Sequence, residues 1–332
     1  MLRVGVIGLG VGEQHAEAWA RHPDCRVVAL CDFDPQRLEE VGGRHPDAGR
    51  FERDTDLLAA DIDVVSIASY DSHHFEHVRT ALERGLHVFV EKPLCTSEDE
   101  AAALRALHTA NPGLRLSSNL PLRRSPRFLD LRERIRAGHL GRLYYAELDY
   151  EYGRLWKLTE GWRGREPEYS VMLGGGVHLI DLLLWLTGSS VASVSATVGN
   201  RIVSEGTPFR FDDLVVTLLQ LDDGMVAKVA ANFGCVQPHF HAVKVFGTEG
   251  TFLNGAAEAT LWTGDRRAPQ ATRLDSAYPG VHKGELVHSF AEAILRGATP
   301  DVTEEEVFRT MDVLFAIERA HQSGVPTSLH GR

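Results

Sequence analysis

The 332-residue sequence lacks the features of a membrane, secreted or nucleic-acid-binding protein. No apolar run approaches the roughly 18–20 residues of a membrane span, and the start of the chain lacks the layout of a signal peptide. The four cysteines (Cys25, Cys31, Cys95 and Cys235) form no CxxC pair, so neither a disulfide framework nor a metal site is indicated. Lysine and arginine number 35 against 46 aspartates and glutamates, and a net charge of −11 disfavours nucleic acid as a partner. These absences predict a soluble cytoplasmic protein.

The composition is that of a globular protein, with 43% apolar and 24% charged residues, and the length suggests about two domains. Strand signals near residues 4–7, 26–31, 63–68, 86–91 and 114–117 alternate with helix signals near 12–21, 73–84 and 99–109. Gly85 stands just past the second of these helices, and Ser97 with Glu100 forms a capping box before the third. This alternation predicts a doubly wound parallel sheet, a Rossmann domain, over residues 1–120.

The pattern changes in residues 121–332. Helix signals near 126–137 and 177–186 accompany strand signals near 143–150, 191–198, 214–221, 226–232, 242–246 and 260–262. Two final helices, near 285–296 and 304–323, have no strand between them. We therefore predict an α+β domain on a mostly antiparallel open sheet, with the last helices packing back on the first domain.

A glycine-rich turn joins the first strand to the first helix. Gly8, Gly10 and Gly12 let the backbone approach a pyrophosphate, whose charge the helix N-terminus then faces. Glu13 stands where the third glycine of G-x-G-x-x-G would fall, so Gly12 is the candidate for that role. Asp32 follows about 20 residues on, where an acid bonds the adenosine ribose and repels a 2′-phosphate. The pattern favours NAD over NADP; glycines of an ordinary strand–helix turn are the alternative.

Two further segments offer acid–base chemistry. Glu91-Lys92-Pro93 ends the fourth strand, and ligands of open parallel sheets bind at the carboxyl ends of the strands. His178 and Asp181 stand three residues apart, on one helical face, after three glycines that would let the chain run close to a ligand. The histidine can act as acid, base or donor, and the aspartate can orient it. A surface lysine and a structural His–Asp pair are the alternatives.

Taken together, these segments resemble the Gfo/Idh/MocA family of sugar and cyclitol dehydrogenases over most of the chain. The resemblance rests on VGVIGLG at 4–10 with His15, CDFD at 31–34, DVVSIA at 63–68 with His74, GLHVFVEKP at 85–93 and GVHLIDL at 176–182. It implies that Lys92 and His178 are catalytic and that the open sheet covers the substrate and makes subunit contacts. The predicted cofactor-binding residues are Gly8, Gly10, Val11, Gly12, Asp32, Ser69, His74, Glu91 and Lys92.

The chain departs from the family at two places. Many members have an aspartate four residues before the helix histidine, where this chain has Gly174. Asp181, Tyr169 or Glu168 are the candidates to compensate, and the alternative is that His178 with Lys92 suffices. Ser69-Tyr70-Asp71 stands where many members have Thr-Pro-Asn. These departures suggest an unusual substrate, with an altered reaction as the alternative.

An aromatic and basic stretch offers a substrate surface, because aromatic faces suit sugar rings and arginine suits a carboxylate or phosphate. It consists of Tyr150, Tyr152, Arg154, Trp156 and Lys157, with Trp162-Arg163. His239 and His241 alternate and can share a face, but no third metal ligand is evident. Packing at a sheet edge is the alternative for the aromatic and basic stretch, and the two histidines can instead reach the pocket beside the open sheet. The predicted substrate-binding residues are Lys92, Asn119, Arg123, Tyr152, Trp162, Arg163, His178 and Asp181, with Lys92, His178 and Asp181 as the catalytic set.

The sequence therefore predicts an NAD-dependent oxidoreductase that moves a hydride between nicotinamide and a secondary alcohol carbon. The substrate is a small sugar, cyclitol or sugar derivative, including a sugar nucleotide or a sugar acid, and the protein is expected to form a homodimer or homotetramer. Two alternatives stay open on this fold. One is an NAD-dependent glycoside hydrolase working by transient oxidation and elimination, and the other is a non-catalytic NAD-binding sensor.

Overall fold

The computed structural model describes residues 1–166, 169–255 and 258–329, and these divide into two compact units. Unit 1 comprises Met1–Arg124 and Val281–Met311, and unit 2 comprises Ser125–Gly280 and the described chain from Asp312 onward. Among the described helices, none combines the length and apolar character that a bilayer span requires.

Fifteen strands form within the described residues, six in unit 1 and nine in unit 2. They are β1 (Leu2–Ile7), β2 (Cys25–Cys31), β3 (Gly49–Phe51), β4 (Val64–Ile67), β5 (His87–Val90), β6 (Leu116–Ser118), β7 (Leu143–Glu151), β8 (Val191–Asn200), β9 (Leu214–Leu221), β10 (Val226–Asn232), β11 (Phe240–Gly247), β12 (Gly250–Asn254), β13 (Ala259–Thr263), β14 (Gln270–Leu274) and β15 (Thr327–Ser328).

Ten α-helices accompany them in the described chain. They are α1 (Gly12–Arg21), α2 (Pro35–Arg44), α3 (Asp54–Leu58), α4 (His74–Glu83), α5 (Glu98–Ala110), α6 (Pro126–Arg136), α7 (Trp156–Thr159), α8 (Val177–Thr187), α9 (Glu285–Arg296) and α10 (Glu304–Ser323).

Unit 1 is built on a parallel sheet with strand order β3-β2-β1-β4-β5-β6. The order reverses between β1 and β4, which is the switch point where ligands of such sheets bind. The predicted Rossmann fold is confirmed. Two helix ends are capped as predicted. Ser97 and Glu100 form the capping box of α5, and Gly85 takes a φ of +77° just past α4.

Helix α9 belongs to unit 1 and packs on α1. The ring of Phe290 lies 6.3 Å from that of Trp19 and 5.6 Å from that of Phe89. Its close approach needs Gly284, where a Cβ would come within 2.9 Å of the Gln14 carbonyl oxygen. The late helix thus covers the early sheet.

Unit 2 carries a nine-stranded sheet in the order β14-β13-β12-β11-β7-β10-β9-β8-β15. Only β7 and β10 run parallel among its paired strands in the described chain, so the predicted mostly antiparallel sheet is confirmed. Along β7, Ala146, Leu148 and Tyr150 are buried on one face, while Glu147 and Asp149 lie on the other. Period-two alternation of this kind buries one face and leaves the other to solvent or to a partner.

The run Gly174–Gly176, predicted to let the chain run close to a ligand, is itself helical. Residues Met172–Gly176 form one π-helical turn that continues directly into α8. The glycines make room for protein side chains, since a Cβ on Gly175 would lie 2.5 Å from the Tyr150 ring and one on Gly176 would lie 2.7 Å from Met172. A single π turn of this sort is often found at functional sites.

Candidate active site

The glycine-rich turn of unit 1 forms a cradle with three distinct roles. Gly8 has a φ of +81°, and a Cβ there would lie 2.5 Å from the Ala68 carbonyl oxygen, so only glycine fits. A Cβ on Gly12 would lie 3.0 Å from Val6, which makes this glycine the one that lets α1 approach β1. A Cβ on Gly10 would meet no protein atom within 4 Å. That open position suits the approach of a pyrophosphate to the backbone.

Asp32 at the end of β2 is buried against this turn. Its Oδ2 accepts the Leu9 main-chain N–H at 2.7 Å, and its Oδ1 accepts the Asp34 N–H at 2.9 Å. Each carboxylate oxygen has a second acceptor position, so the group can also accept a ribose hydroxyl. Val11, with an apolar side chain, occupies the N-cap position of α1. The cradle and its acid therefore fit a dinucleotide.

Ser69 and His74 join the loops that follow β4 and β5. His74 Nδ1 donates to the Pro93 carbonyl oxygen at 2.6 Å, and its Nε2 lies 3.2 Å from the Ser69 carbonyl oxygen. Ser69 Oγ lies 3.0 Å from Nδ1 of His77, whose Nε2 donates to Asp54 at 2.6 Å. His74 therefore fixes the shape of both loops.

Glu91 is the centre of a buried polar network. Its Oε1 accepts the Asn119 amide at 2.6 Å and lies 3.2 Å from His15 Nε2. Burial raises the pKa of Glu91, but Lys283, His15 and Lys92 together hold that pKa well below its usual range. The carboxylate thus stays ionised and fixes the strand end that carries Lys92.

Lys92 stands two residues after the end of β5 and is 9% exposed. The Lys92–Pro93 peptide bond is cis. The lysine lies at the carboxyl end of a parallel sheet, beside an ionised Glu91, and belongs to the set of charges around that carboxylate.

Asn119 and Arg123 were both predicted to meet substrate. The structure places the Asn119 amide between Glu91 and the Lys283 carbonyl oxygen, 2.9 Å away. Arg123 is buried and forms an ion pair of 2.8 Å with Glu306. These contacts favour a structural role for both side chains.

In unit 2, His178 and Asp181 lie in the first turns of α8 and are both buried. Tyr169 fills the space where a side chain at position 174, four residues before the histidine, would lie. A Cβ on Gly174 would fall on the Tyr169 hydroxyl. Of the candidates to compensate, Tyr169 is the one whose hydroxyl lies at this position. Glu168, another candidate, lies outside the described residues.

A cluster of rings surrounds His178 at the covered face of the sheet. His178 stacks on Tyr150 at 6.0 Å between ring centroids and meets His241 edge-on, also at 6.0 Å. His239 lies 4.8 Å from His241 and 5.3 Å from Tyr152. The cluster joins aromatic faces to imidazole nitrogens, a combination that suits a polyhydroxylated ring.

Cationic side chains stand over the aromatic residues beside this cluster. The Arg154 guanidinium lies 5.4 Å from the Tyr152 ring centroid, and the Lys157 ammonium lies 6.0 Å from it. Arg163 lies 4.4 Å over the ring of Trp162. The predicted aromatic and basic stretch therefore does bring positive charge to the cluster.

One group in the described chain has the residue types of a metal site. Ligand atoms of His22, His288 and Glu292 lie within 4.8 Å of one another. The Asp24 N–H, however, donates to His22 Nδ1 at 3.2 Å, which leaves the ring hydrogen on Nε2, and Nε2 donates to Glu292 at 3.0 Å. The group is occupied as a hydrogen-bonded pair, and the absence of a metal stays a prediction.

Comparison with known proteins identifies the family. Residues 2–117 match the profile described as an oxidoreductase family with an NAD-binding Rossmann fold, and residues 128–253 match the Gfo/Idh/MocA C-terminal domain. The chain belongs to the Gfo/Idh/MocA family. The predicted family, NAD cofactor and nicotinamide-dependent oxidoreductase activity are thereby confirmed.

Two curated relatives illustrate the family. The chain is 27% identical to the NAD-dependent scyllo-inositol 2-dehydrogenase of Bacillus subtilis, over 99% of this chain and 96% of that protein. It is 30% identical to the UDP-N-acetylglucosamine 3-dehydrogenase of Acidithiobacillus ferrooxidans, over 70% of this chain and 67% of that protein.

Solved structures share the fold. Levoglucosan dehydrogenase in complex with NADH and L-sorbose superposes with a TM-score of 0.87 at 20% identity, covering 99% of each chain. The WlbA dehydrogenase of Bordetella pertussis, in complex with NADH and UDP-GlcNAcA, has a TM-score of 0.84 at 20% identity, covering 100% of this chain and 99% of that one. The alternatives of a hydrolase and a sensor gain no support from these comparisons.

Sequence reasoning missed three parts of the site. Lys283 acts on Glu91 from 192 positions along the chain, and Tyr278 bonds to His241 at 2.6 Å. His77 holds Ser69 through a contact of 3.0 Å. The alternation of His239 and His241 was the one feature of the sequence that pointed to this ring cluster. It did not indicate Tyr278 as the partner of His241.

Proposed function

We propose that this protein oxidises a secondary alcohol carbon of a sugar, a cyclitol or a sugar derivative with NAD, or runs the reverse reduction. The observation that carries the proposal is the position of Lys92: a buried lysine beside an ionised carboxylate, at the carboxyl end of β5 in a sheet with a dinucleotide cradle. Unit 1 is the proposed cofactor domain and unit 2 the proposed substrate domain.

The residues divide the chemistry as follows. NAD, when bound, supplies a nicotinamide ring that accepts the carbon-bound hydrogen with its electron pair. The turn at Gly8–Gly12 and Asp32 would hold its phosphates and adenosine ribose. The Lys92 ammonium would stabilise the negative charge that develops on the alcohol oxygen. His178 would take the hydroxyl proton as the carbonyl forms, with Asp181 as a further polar group on α8, and such acid–base help is typically worth ~10²–10⁴-fold.

A sugar carrying a carboxylate or phosphate is the second candidate within this substrate class. Arg154 and Lys157 over Tyr152, and Arg163 over Trp162, favour it because guanidinium groups bind planar anions with two hydrogen bonds. Relatives of both kinds exist, since one is named for inositol and another for a sugar nucleotide.

The experiment is a substrate panel with the purified chain. NADH formation is measured with NAD+ and scyllo-inositol, a methyl glucoside, levoglucosan, glucuronate or UDP-N-acetylglucosamine. We expect turnover with a member of the panel, and fastest turnover with the last two if the cationic residues bind substrate. Absence of NADH with every compound contradicts the proposal; release of methanol from the glucoside without net NADH indicates the hydrolase, and NAD binding without turnover indicates the sensor.

Variants then test the catalytic set. Lys92→Ala and His178→Ala should lower kcat by ~10²–10⁴-fold while the far-UV circular dichroism spectrum is unchanged. His139→Ala is the matched control, because His139 is exposed just after α6. Near-normal turnover in both active-site variants would remove the assignment.

We also propose that the enzyme works in the cytoplasm as a homodimer or homotetramer. The four cysteines are free thiols, which suits a reducing compartment. The outer face of the unit 2 sheet exposes Leu218, Val226 and Trp262 around the ring pair of Tyr145 and Phe246. Apolar patches of this kind mark interaction surfaces, and a monomer mass in sedimentation velocity would contradict the assembly.

A further inference from the structure

Two hydrogen bonds join Tyr278 to His241 within unit 2. The Tyr278 hydroxyl oxygen accepts the main-chain N–H of His241 at 3.0 Å. The same oxygen lies 2.6 Å from His241 Nδ1. A single hydroxyl therefore contacts both the backbone and the ring of one histidine.

This arrangement is compatible with a ring hydrogen on Nε2 of His241. The hydroxyl oxygen accepts the main-chain N–H, and its one hydrogen can be donated to Nδ1. Burial raises the pKa of Tyr278, so the phenol stays protonated and can donate at neutral pH. A neutral imidazole that accepts at Nδ1 carries its hydrogen on Nε2.

A buried arginine holds this pair in place. Arg127 donates from Nη1 to Asn254 Oδ1 at 2.8 Å and from Nε and Nη2 to the Ser276 carbonyl oxygen at 3.2 and 3.1 Å. Asn254 donates to the His241 carbonyl oxygen at 2.8 Å, and the Arg127 guanidinium lies 5.2 Å from the Tyr278 ring centroid. Asn254 thus holds His241 and Arg127 packs against Tyr278, and supporting contacts of this kind preorganise binding groups.

His241 belongs to the ring cluster around His178. It is the cross-strand neighbour of Tyr150, whose ring centroid lies 5.3 Å from its own. The imidazole of His178 lies 6.0 Å away and that of His239 lies 4.8 Å away. The His241 ring therefore belongs to the group of rings packed around the proposed acid–base residue.

We propose that His241 is a substrate-binding residue that donates its Nε2–H to an oxygen of the sugar-like substrate, and that Tyr278 is the positioning residue that fixes this tautomer. The inference rests on the proposed function, because it places the substrate beside His178. A hydrogen bond from His241 of β11 would favour substrates that carry an oxygen at one ring position over substrates that carry only hydrogen there.

The tautomer is tested first, without any substrate. Imidazole nitrogens of 15N-histidine-labelled protein are observed by NMR at neutral pH, and His241 is assigned by its absence in His241→Gln. We expect an unprotonated Nδ1 and a protonated Nε2 in the wild-type protein, and loss of that preference in Tyr278→Phe. A hydrogen on Nδ1, or an imidazolium, in the wild-type protein would overturn the proposal even if Tyr278→Phe failed to fold.

The substrate bond is tested by variants that place an amide at one or the other ring nitrogen. The glutamine N–H₂ group reaches the position of Nε2, whereas the shorter asparagine group reaches that of Nδ1. With the best substrate of the panel, His241→Gln should keep KM within about threefold, while His241→Asn and His241→Leu should raise KM about tenfold with kcat little changed. Equal KM values in the glutamine, asparagine and leucine variants would contradict a donor at Nε2.

A double variant separates positioning from packing. Tyr278→Phe should raise KM in the wild-type background but not in His241→Gln, because glutamine has no tautomer to fix. Equal effects in both backgrounds would show that Tyr278 acts only through packing and would overturn its role. If no panel compound is turned over, the proposed function fails and takes the substrate role of His241 with it, whereas the NMR result stands by itself.

Discussion

Gly10 allows the proposed cofactor site to be perturbed without perturbing the fold. A Cβ there meets no protein atom within 4 Å, and the residue is not among the glycines with positive φ. Alanine therefore fits without strain and reduces the freedom of the unfolded chain, which should raise the free energy of unfolding by about 0.4–1 kcal/mol. In a unit of this size that gain moves Tm up by roughly 1–4 °C.

The same methyl group should weaken NADH binding. It would stand where the pyrophosphate approaches the backbone and would separate a phosphate oxygen from an N–H donor. A hydrogen bond to a charged group contributes about 1.5–3 kcal/mol. Loss of one such bond corresponds to a rise in Kd of about 10- to 150-fold.

The assay combines NADH fluorescence titration with thermal unfolding of the wild-type protein and Gly10→Ala. Gly43→Ala is the matched control, since Gly43 is exposed in α2 and a Cβ there also meets nothing within 4 Å. The control should show a similar or larger gain in Tm with an unchanged Kd. A wild-type Kd in Gly10→Ala would refute the placement of the pyrophosphate, and a fall in Tm would refute the strain argument.

Three further substitutions test the same unit. Gly8→Ala should lower the free energy of unfolding by at least about 1–3 kcal/mol, because its φ is +81° and its Cβ would meet the Ala68 carbonyl oxygen; a wild-type urea midpoint would contradict this. Asp32→Asn should weaken NADH binding and bring the Kd values for NADH and NADPH closer together, since an amide does not repel a 2′-phosphate. An unchanged ratio of the two Kd values would argue against the ribose contact. Burial opposes ionisation of Glu91, yet Lys283 and its other neighbours hold its pKa well below the usual range. The charge of Glu91 therefore stabilises the fold at neutral pH, and this stabilisation is lost as the pH falls through the folded-state pKa. Glu91→Gln should lower the free energy of unfolding in urea by about 3 kcal/mol at neutral pH and by progressively less below about pH 4. A difference that does not depend on pH would contradict the network.

The sequence predicted well what short-range chemistry determines. Gly8 and Asp32 are recognisable because a left-handed turn and a strand-end acid each depend on a few neighbouring residues. The capping box of Ser97 and Glu100 was readable for the same reason. The short strand β3 was missed, because three residues are too few to show alternation.

Contacts between distant parts of the chain could not be read in this way. The glycines at 174–176 were predicted to let the chain run close to a ligand, whereas the atoms nearest to them belong to the rings of Tyr169 and Tyr150 and the side chain of Met172. Arg123 was predicted to bind substrate, and its ion pair with Glu306, far along the chain, could not be read from the sequence. The hydrogen bond between Tyr278 and His241 joins a loop to β11, and no local sequence pattern predicts it.

The central claim is that a nicotinamide dinucleotide binds along the carboxyl ends of the unit 1 strands with its reactive ring presented to Lys92. A crystal structure of the protein with NADH tests it most directly. We expect the adenosine ribose against Asp32, the pyrophosphate over Gly10 and the nicotinamide ring within reach of Lys92 Nζ. A cofactor bound elsewhere, or a nicotinamide ring directed away from Lys92, would contradict it.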